Sequence, residues 1–184
     1  MKTQKMALSA FFLALALVLP FLTGHVPQIG NMLSPMHFPV LLCGFVCGWP
    51  AGLAVGFIAP LLRFMLFGMP PIFPTGIAMA FELAVYGAVA GLIFSKVRHT
   101  LPMIYATLIT AMLAGRLVWG AVRFVLAAAL NLSFPFSAFL AGAFITSLPG
   151  IICQLIIIPA IMAAVIRRNL LPPDNSNKRA CPHE

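Results

Sequence analysis

Two arginines on one predicted helix are the residues best placed to do chemistry. Arg116 and Arg123 lie within the long apolar segment 103–130. A spacing of seven residues puts both guanidinium groups on one helix face, roughly 10 Å apart along the axis, with Trp119 between them on that face. Each charge at this depth costs about 2.5–3.5 kcal/mol on insertion-based scales. Since leucine would fill the same space without this cost, the arginines indicate a binding function.

Two further charges lie in neighbouring apolar segments. Arg63 is near the end of segment 51–67, and Glu82 lies in segment 77–95, one turn before Tyr86. Glu82 is the only acidic residue before position 174, so three arginines face one carboxylate. We expect Glu82 to pair with one arginine and help to fix the helices, which leaves about two positive charges unmatched where lone charges are costly.

An anionic ligand is the simplest way to match these charges. Arginine does not lose its proton, because its pKa lies above about 12. Arg63 and Arg123 could alternatively extend to the outer headgroups, whereas Arg116 is too deep for this. The pattern therefore predicts an anion that enters from outside and is held by guanidinium groups, with Trp119 and Tyr86 as aromatic walls.

The composition identifies the class of protein. Hydrophobic residues make up 62% of the chain and charged residues 8%, compared with about 25% charged in soluble domains. The apolar runs are continuous, which favours helices over an outer-membrane barrel. We therefore expect an all-α integral membrane protein of one domain, residues 1–168, followed by a polar and disordered cytoplasmic tail, residues 169–184.

The loops predict six spans with both termini in the cytoplasm. Eight of the eleven Lys and Arg residues fall on the side of the termini, and the loops 25–37, 68–76 and 131–137 on the other side contain none. The expected spans begin with 6–24 as a retained helix rather than a cleaved signal peptide. The others are 38–48, 51–67, 77–95, 103–130 and 138–166, the last broken at Pro149-Gly150 and again at Pro159.

Other kinds of function have little support in the sequence. It has no zinc-binding His-Glu-x-x-His pair, no Gly-x-Ser-x-Gly turn and no phosphate-binding Gly-rich loop with Lys. With one buried carboxylate, acid–base catalysis has few groups to use. Cys43 and Cys47 have no His or carboxylate beside them, so we read them as small buried hydrophobes. We expect no enzyme, no metal and no cofactor.

The order of several motifs along 1–168 resembles one transporter family. The motifs are Ala10-x-x-x-Ala14 in the first helix, the long outer loop 25–37, and the segments LSPMHFPVLLCGFVCGWPAGLAVGFIAPLLR (33–63) and GMPPIFPTGIAMAFELAVYGAVAGL (68–92). Together they resemble the S component, the substrate-binding subunit, of energy-coupling factor (ECF) vitamin transporters.

The resemblance implies a micronutrient site in the outer half, covered by the 25–37 loop and contacted from helices four, five and six. It also implies docking through Ala10 and Ala14 on a transmembrane T component that works with two ABC-type ATPases in a bacterial plasma membrane. The candidate substrate-binding residues are Arg116, Arg123, Trp119, Glu82, Tyr86, Arg63, Asn31, His37 and Gln154.

The choice of substrate stays open among several vitamins. The arginines disfavour thiamine and metal cations, and pantothenate, nicotinate, biotin and folate all carry carboxylates. We favour pantothenate, because 68–76 resembles that subgroup and the molecule has one carboxylate and a polar tail. The alternatives are an S component for neutral riboflavin or pyridoxine, a stand-alone ion-coupled carrier of a small organic anion, and a membrane assembly protein without a small ligand.

Overall fold

The chain folds into α-helices throughout the part that the structure describes. The structure is a computed structural model, and it describes residues 2–23, 34–68, 71–97, 100–130, 141–142 and 147–168. Within these ranges there are six α-helices: α1 Lys2–Val18, α2 His37–Cys47, α3 Trp49–Phe67, α4 Ile77–Phe94, α5 Leu101–Ala129 and α6 Leu148–Arg167. A 3-10 turn, Leu19–Thr23, follows α1, and a π-helical turn, Ile72–Gly76, leads into α4. The all-α prediction is confirmed.

Five of these helices are long and apolar enough to cross a membrane. The exception is α2, with 11 residues, which spans roughly 16 Å at 1.5 Å per residue. Ten of its residues are buried, so α2 is apolar on all sides and lies inside the protein. Six complete spans and the cytoplasmic location of the termini stay predictions, and the predicted tail 169–184 lies outside the described residues.

Glycine and proline fix where the helices begin and end. Gly48, with φ of 95°, separates α2 from α3, and Gly68, with φ of 70°, ends α3 while its N–H bonds to the Phe64 carbonyl. Proline occupies the first turn of α3, α5 and α6, where no N–H donor is needed. The boundaries of α3 and the start of α5 lie close to those predicted from the apolar runs.

Two local predictions are wrong. Pro159 does not break the last segment, because α6 continues through it to Arg167. A proline inside a membrane helix is tolerated when neighbouring groups satisfy the freed carbonyl. Residues 72–76 were expected to be part of a loop, but they form the π-helical turn, within which Phe73 alone is extended.

Contacts between glycines hold α2, α3 and α4 together. A Cβ atom built on Gly52 would lie 2.7 Å from the Gly87 carbonyl carbon and 2.8 Å from the Gly44 Cα atom, both closer than real Cβ contacts. Gly56 and Gly91 touch backbone atoms of Leu83 and Trp49 in the same way. The helix backbones therefore approach closely at these small residues, an arrangement that glycines spaced four residues apart favour in membrane helices. This contact fixes the position of α4, which carries Glu82 and Tyr86.

Candidate functional site

The packing of α4 and of the π-helical turn before it against α5 produces two polar contacts, one from each of these elements. On the first, Arg116 Nη1 lies 3.1 Å from Glu82 Oε1. On the second, Arg123 Nη1 donates to Thr75 Oγ1 over 3.4 Å. Glu82 and Thr75 are seven residues apart along the chain, and so are Arg116 and Arg123. We call these contacts the inner rung (Glu82–Arg116) and the outer rung (Thr75–Arg123); on α5 they are separated by about 10 Å.

Arg116 is the arginine that pairs with Glu82. The Arg116 side chain is 9% exposed and the Glu82 side chain 2%, so the pair is almost completely buried. The 3.1 Å contact is an ion pair that lacks hydrogen-bond geometry at Glu82 Oε1. A buried pair in this form has hydrogen-bonding capacity left over, and the groups around it determine how that capacity is used.

Two aromatic residues surround the inner rung. His37, at the start of α2, places Nε2 3.6 Å from Glu82 Oε1, and its ring centroid is 5.1 Å from that of Tyr86. Both residues are buried, His37 at 2% exposure and Tyr86 at 0%. Three helices therefore bring a carboxylate, a guanidinium, an imidazole and a phenol together, and all four residues were candidates from the sequence.

Several buried polar atoms at the inner rung have no hydrogen-bond partner among the described residues. They are both ring nitrogens of His37, the Tyr86 hydroxyl and Arg116 Nε. Leaving one such group unsatisfied costs about 1–3 kcal/mol, so native proteins rarely bury several together. These atoms have the capacity to form hydrogen bonds with a polar molecule.

Two residues at the rungs were not predicted from the sequence: Thr75, which belongs to the outer rung, and Gly115, which lies beside the inner rung. A Cβ atom on Gly115 would collide with the Tyr86 ring and lie 3.1 Å from the Glu82 carbonyl oxygen. Glycine at this position therefore makes room for the Tyr86 ring against α5. The position of Gly115 directly before Arg116 was the available signal. Thr75 lies one helical heptad before Glu82, which only becomes informative once α4 and α5 are known to pair.

The outer rung has a different environment from the inner one. The Arg123 guanidinium lies 5.7 Å from the centroid of the Trp119 ring, an arrangement typical of cation–π contacts. Arg123, Trp119 and Thr75 are each half-buried. The predicted shared face of Arg116, Trp119 and Arg123 therefore corresponds to the face of α5 that carries both rungs.

Arg63 lies in a separate place. Its Nη1 donates to the Leu17 carbonyl oxygen over 3.0 Å, and its guanidinium carbon lies 5.5 Å and 5.9 Å from the ring centroids of Phe21 and Phe67. Arg63 is 7% exposed, so it does not extend outward to headgroups from the described part of the protein. A cation at the carbonyl end of α1 is favourable, and these contacts favour a structural role for Arg63.

The remaining candidates are Gln154, Asn31, and the two alanines of the predicted docking face. Gln154, on α6, is 1% exposed, and its Oε1 has no hydrogen-bond partner among the described residues. Its helix packs on α5 and α2, which carry Arg116 and His37. Asn31 lies outside the described residues. Ala10 and Ala14 are both exposed on one face of α1, whereas Phe12 and Ala16 of the same helix face inward.

Comparison with known protein families identifies the family of this chain. Residues 4–162 match the family model described as ECF transporter, substrate-specific component. The chain belongs to this family. An ECF substrate-specific component is a multi-pass membrane protein that binds a small-molecule substrate and associates with T and ATPase modules, and it is not itself catalytic. No curated protein and no solved structure matches the sequence.

Proposed function

We propose that this ECF substrate-specific component captures a micronutrient from outside a bacterial cell and delivers it with a T component and two ATPases. The observation that carries the proposal is the inner rung, where buried polar atoms from α2, α4 and α5 lack partners. Hydrogen-bond donors and acceptors that converge from several helices are typical of a small-molecule site. In the proposed orientation, with both termini in the cytoplasm, both rungs lie in the outer half of the membrane.

We further propose that the substrate is an anionic vitamin such as pantothenate. Among the described residues Glu82 is the one carboxylate, and it is committed to Arg116. The described buried and half-buried arginines, Arg63, Arg116 and Arg123, outnumber this one carboxylate, and a carboxylate on the ligand would offset part of the excess positive charge. Riboflavin or pyridoxine could satisfy the inner rung but would add no negative charge.

Native mass spectrometry of the purified chain is the direct test. We expect a co-purified small molecule with the mass of a vitamin, and we expect the T component and ATPases to be retained when they are co-expressed. Uptake by reconstituted vesicles should require these partners and ATP, because the sequence contains no ATP site. Uptake by the chain alone, driven by a proton or sodium gradient, would instead establish a stand-alone carrier.

The exposed face of α1 provides a second test, of partner docking. Replacing Ala14 or Ala10 with leucine should leave substrate binding within about twofold, because neither side chain is buried in the protein. Uptake in cells should fall strongly, since a bulky side chain keeps another helix from approaching closely. Ala121→Leu, at an exposed position of α5, is the matched control and should support normal uptake. Normal uptake by the Ala10 and Ala14 variants would remove the docking role.

A further inference from the structure

We propose that Arg63 positions α1 for docking, by fixing the direction in which Ala10 and Ala14 face the T component. This inference rests on the proposed docking role of α1 and adds the residue that holds that helix in place. It gives Arg63, a substrate-binding candidate from the sequence, a different task from Arg116. Arg63 touches neither the partner nor the substrate in this assignment, so it is a positioning residue.

Arg63 binds α1 at the point where the α-helix ends. Its Nη1 donates to the Leu17 carbonyl oxygen over 3.0 Å, one residue before α1 ends at Val18 and a 3-10 turn begins. In a 3-10 pattern this carbonyl would accept from the N–H of residue 20, but Pro20 has none. The guanidinium therefore supplies a donor and a positive charge at the carbonyl end of α1, where both are favourable.

Two aromatic rings hold the guanidinium in place. Its central carbon lies 5.5 Å from the centroid of the Phe21 ring and 5.9 Å from that of the Phe67 ring, at the end of α3. The two rings contact each other edge to face, with their centroids 4.8 Å apart. Arg63 is also buried, at 7% exposure. A planar cation confined in this way has few orientations, so its hydrogen bond fixes Leu17 relative to α3.

Apolar contacts alone would fix the rotation of α1 only weakly. The helix packs on α2 and α3, and Ala16, Met36 and Ala59 form a small buried cluster there. Lipid tails are as apolar as these side chains, so close packing and interhelical hydrogen bonds, rather than hydrophobic burial, select how membrane helices pack. Ala59 and Arg63 are four residues apart on α3, so the hydrogen bond lies one turn beyond the cluster on the same face.

Fixing Leu17 fixes the direction of the exposed face of α1. Each residue of an α-helix turns by about 100°, so the helix itself sets the directions of Ala14 and Ala10 relative to Leu17. Both alanines are exposed, whereas Phe12 and Ala16 are buried. A rotation of α1 would bring larger side chains into their place, and small residues are what allow a second helix to approach closely. Loss of the hydrogen bond should therefore lower the fraction of chains that can dock.

The test measures how much of the full chain is retained by a T component co-expressed with its two ATPases and purified through a tag on one ATPase. Arg63→Met should reduce retention at least about tenfold, because losing a hydrogen bond from a charged donor lowers the population of the docking orientation. Arg63→Lys keeps a charged donor without the planar guanidinium and should recover part of the retention. Phe67→Leu removes one ring at a position that is 43% exposed and should reduce retention by about threefold.

Two controls separate positioning from general stability and from substrate binding. Ile158→Ala removes packing from a fully buried side chain of α6, and it should lower the thermal midpoint in detergent at least as much as Arg63→Met. Its retention should nevertheless stay within about twofold of wild type, because α1 and its contacts with α3 are unchanged. Binding of pantothenate in nanodiscs should change by less than about twofold in Arg63→Met, since the described contacts of Arg63 include no residue of either rung.

Three results would overturn the positioning role and leave docking through α1 standing. The first is wild-type retention of Arg63→Met under conditions in which Ala14→Leu is lost. The second is an equal loss of retention in Ile158→Ala and Arg63→Met at an equal loss of midpoint, since stability alone would then explain the effect. The third is a tenfold loss of pantothenate binding in Arg63→Met with unchanged retention, which would place Arg63 in the substrate site.

Failure of the proposed docking looks different. If the wild-type chain is not retained, or if Ala14→Leu is retained normally, docking through α1 is wrong and this inference falls with it, while a vitamin found by native mass spectrometry would still support substrate capture. If Arg63→Met does not accumulate, Phe67→Leu decides, and retention of that variant at the wild-type level would overturn the inference.

Discussion

Replacing Gly87 with leucine is expected to give a chain that does not accumulate as a folded protein. Gly87 lies where α2, α3 and α4 meet, and a side chain there would collide with the carbonyl of Gly52. Overpacking typically costs about 1–3 kcal/mol when side chains can move aside. Here the obstructing atoms belong to a helix backbone, so a whole helix must shift and the loss of stability should be larger.

The measurement is the yield of monodisperse protein and its thermal midpoint in detergent. Ala106→Leu is the matched control, because it adds the same side chain at an exposed position of α5 and should change neither quantity. Gly87→Ala is the milder variant, and any folded fraction should bind substrate weakly, since the displaced α4 carries Glu82 and Tyr86. A Gly87→Leu protein with wild-type yield and midpoint would show that the three helices do not depend on this contact.

Most of the helices could be predicted from the sequence because membrane-spanning helices appear as continuous apolar runs. Continuous apolar runs gave α2, α3, α4 and α5 to within about two residues at each end, whereas α1 begins at Lys2 and ends at Val18 instead of covering 6–24. Gly48, Gly68 and Pro102 lie at helix boundaries because of their backbone preferences. The sixth, α6, begins at Leu148, although the apolar run starts at 138. Pro159 misled the prediction because a membrane helix can contain a proline.

The composition of the site could be predicted, but its pairing could not. Charge at membrane depth singled out Glu82 and Arg116, yet the seven-residue spacing on α5 says only which face they share, not which helix that face meets. The pairing depends on how α4 is rotated, and Gly52, Gly56 and Gly87 set that rotation by backbone contact. Glycine spacing indicates that a close contact exists without naming the partner helix.

The partner of Arg63 could not be predicted from the sequence either. From the sequence it resembled Arg123, since both lie near the outer ends of their predicted spans, whereas Arg116 lies deeper. In the structure it donates to the carbonyl of Leu17 and lies against Phe21 and Phe67, away from Glu82. Its partner is a main-chain oxygen, and main-chain oxygens occur at every residue. No side-chain pattern could have distinguished this arginine from Arg123.

Removing either charge of the inner rung is expected to destabilise the protein more than removing both. Arg116→Gln leaves the Glu82 carboxylate buried without its cation, and Glu82→Gln leaves the guanidinium without its anion. Breaking a buried pair in this way costs about 3–5 kcal/mol, whereas replacing both charges with neutral groups is often close to neutral. The glutamines keep most of the volume and some hydrogen bonding, so packing should be little affected.

A double-mutant cycle on unfolding in detergent measures this coupling. We expect the double variant to be more stable than either single variant, because each single variant has an unmatched charge at a site that is less than about a tenth exposed. Substrate binding should respond differently. Every variant that lacks Arg116 should bind at least about tenfold more weakly, because Nε and the rest of the guanidinium are lost even when stability is restored. Stability that recovers while affinity does not would separate the two tasks of Arg116, matching Glu82 inside the protein and donating to the ligand. Additive losses of stability, with affinity recovered in the double variant, would mean that the ion pair is not coupled and that the guanidinium does not touch the substrate.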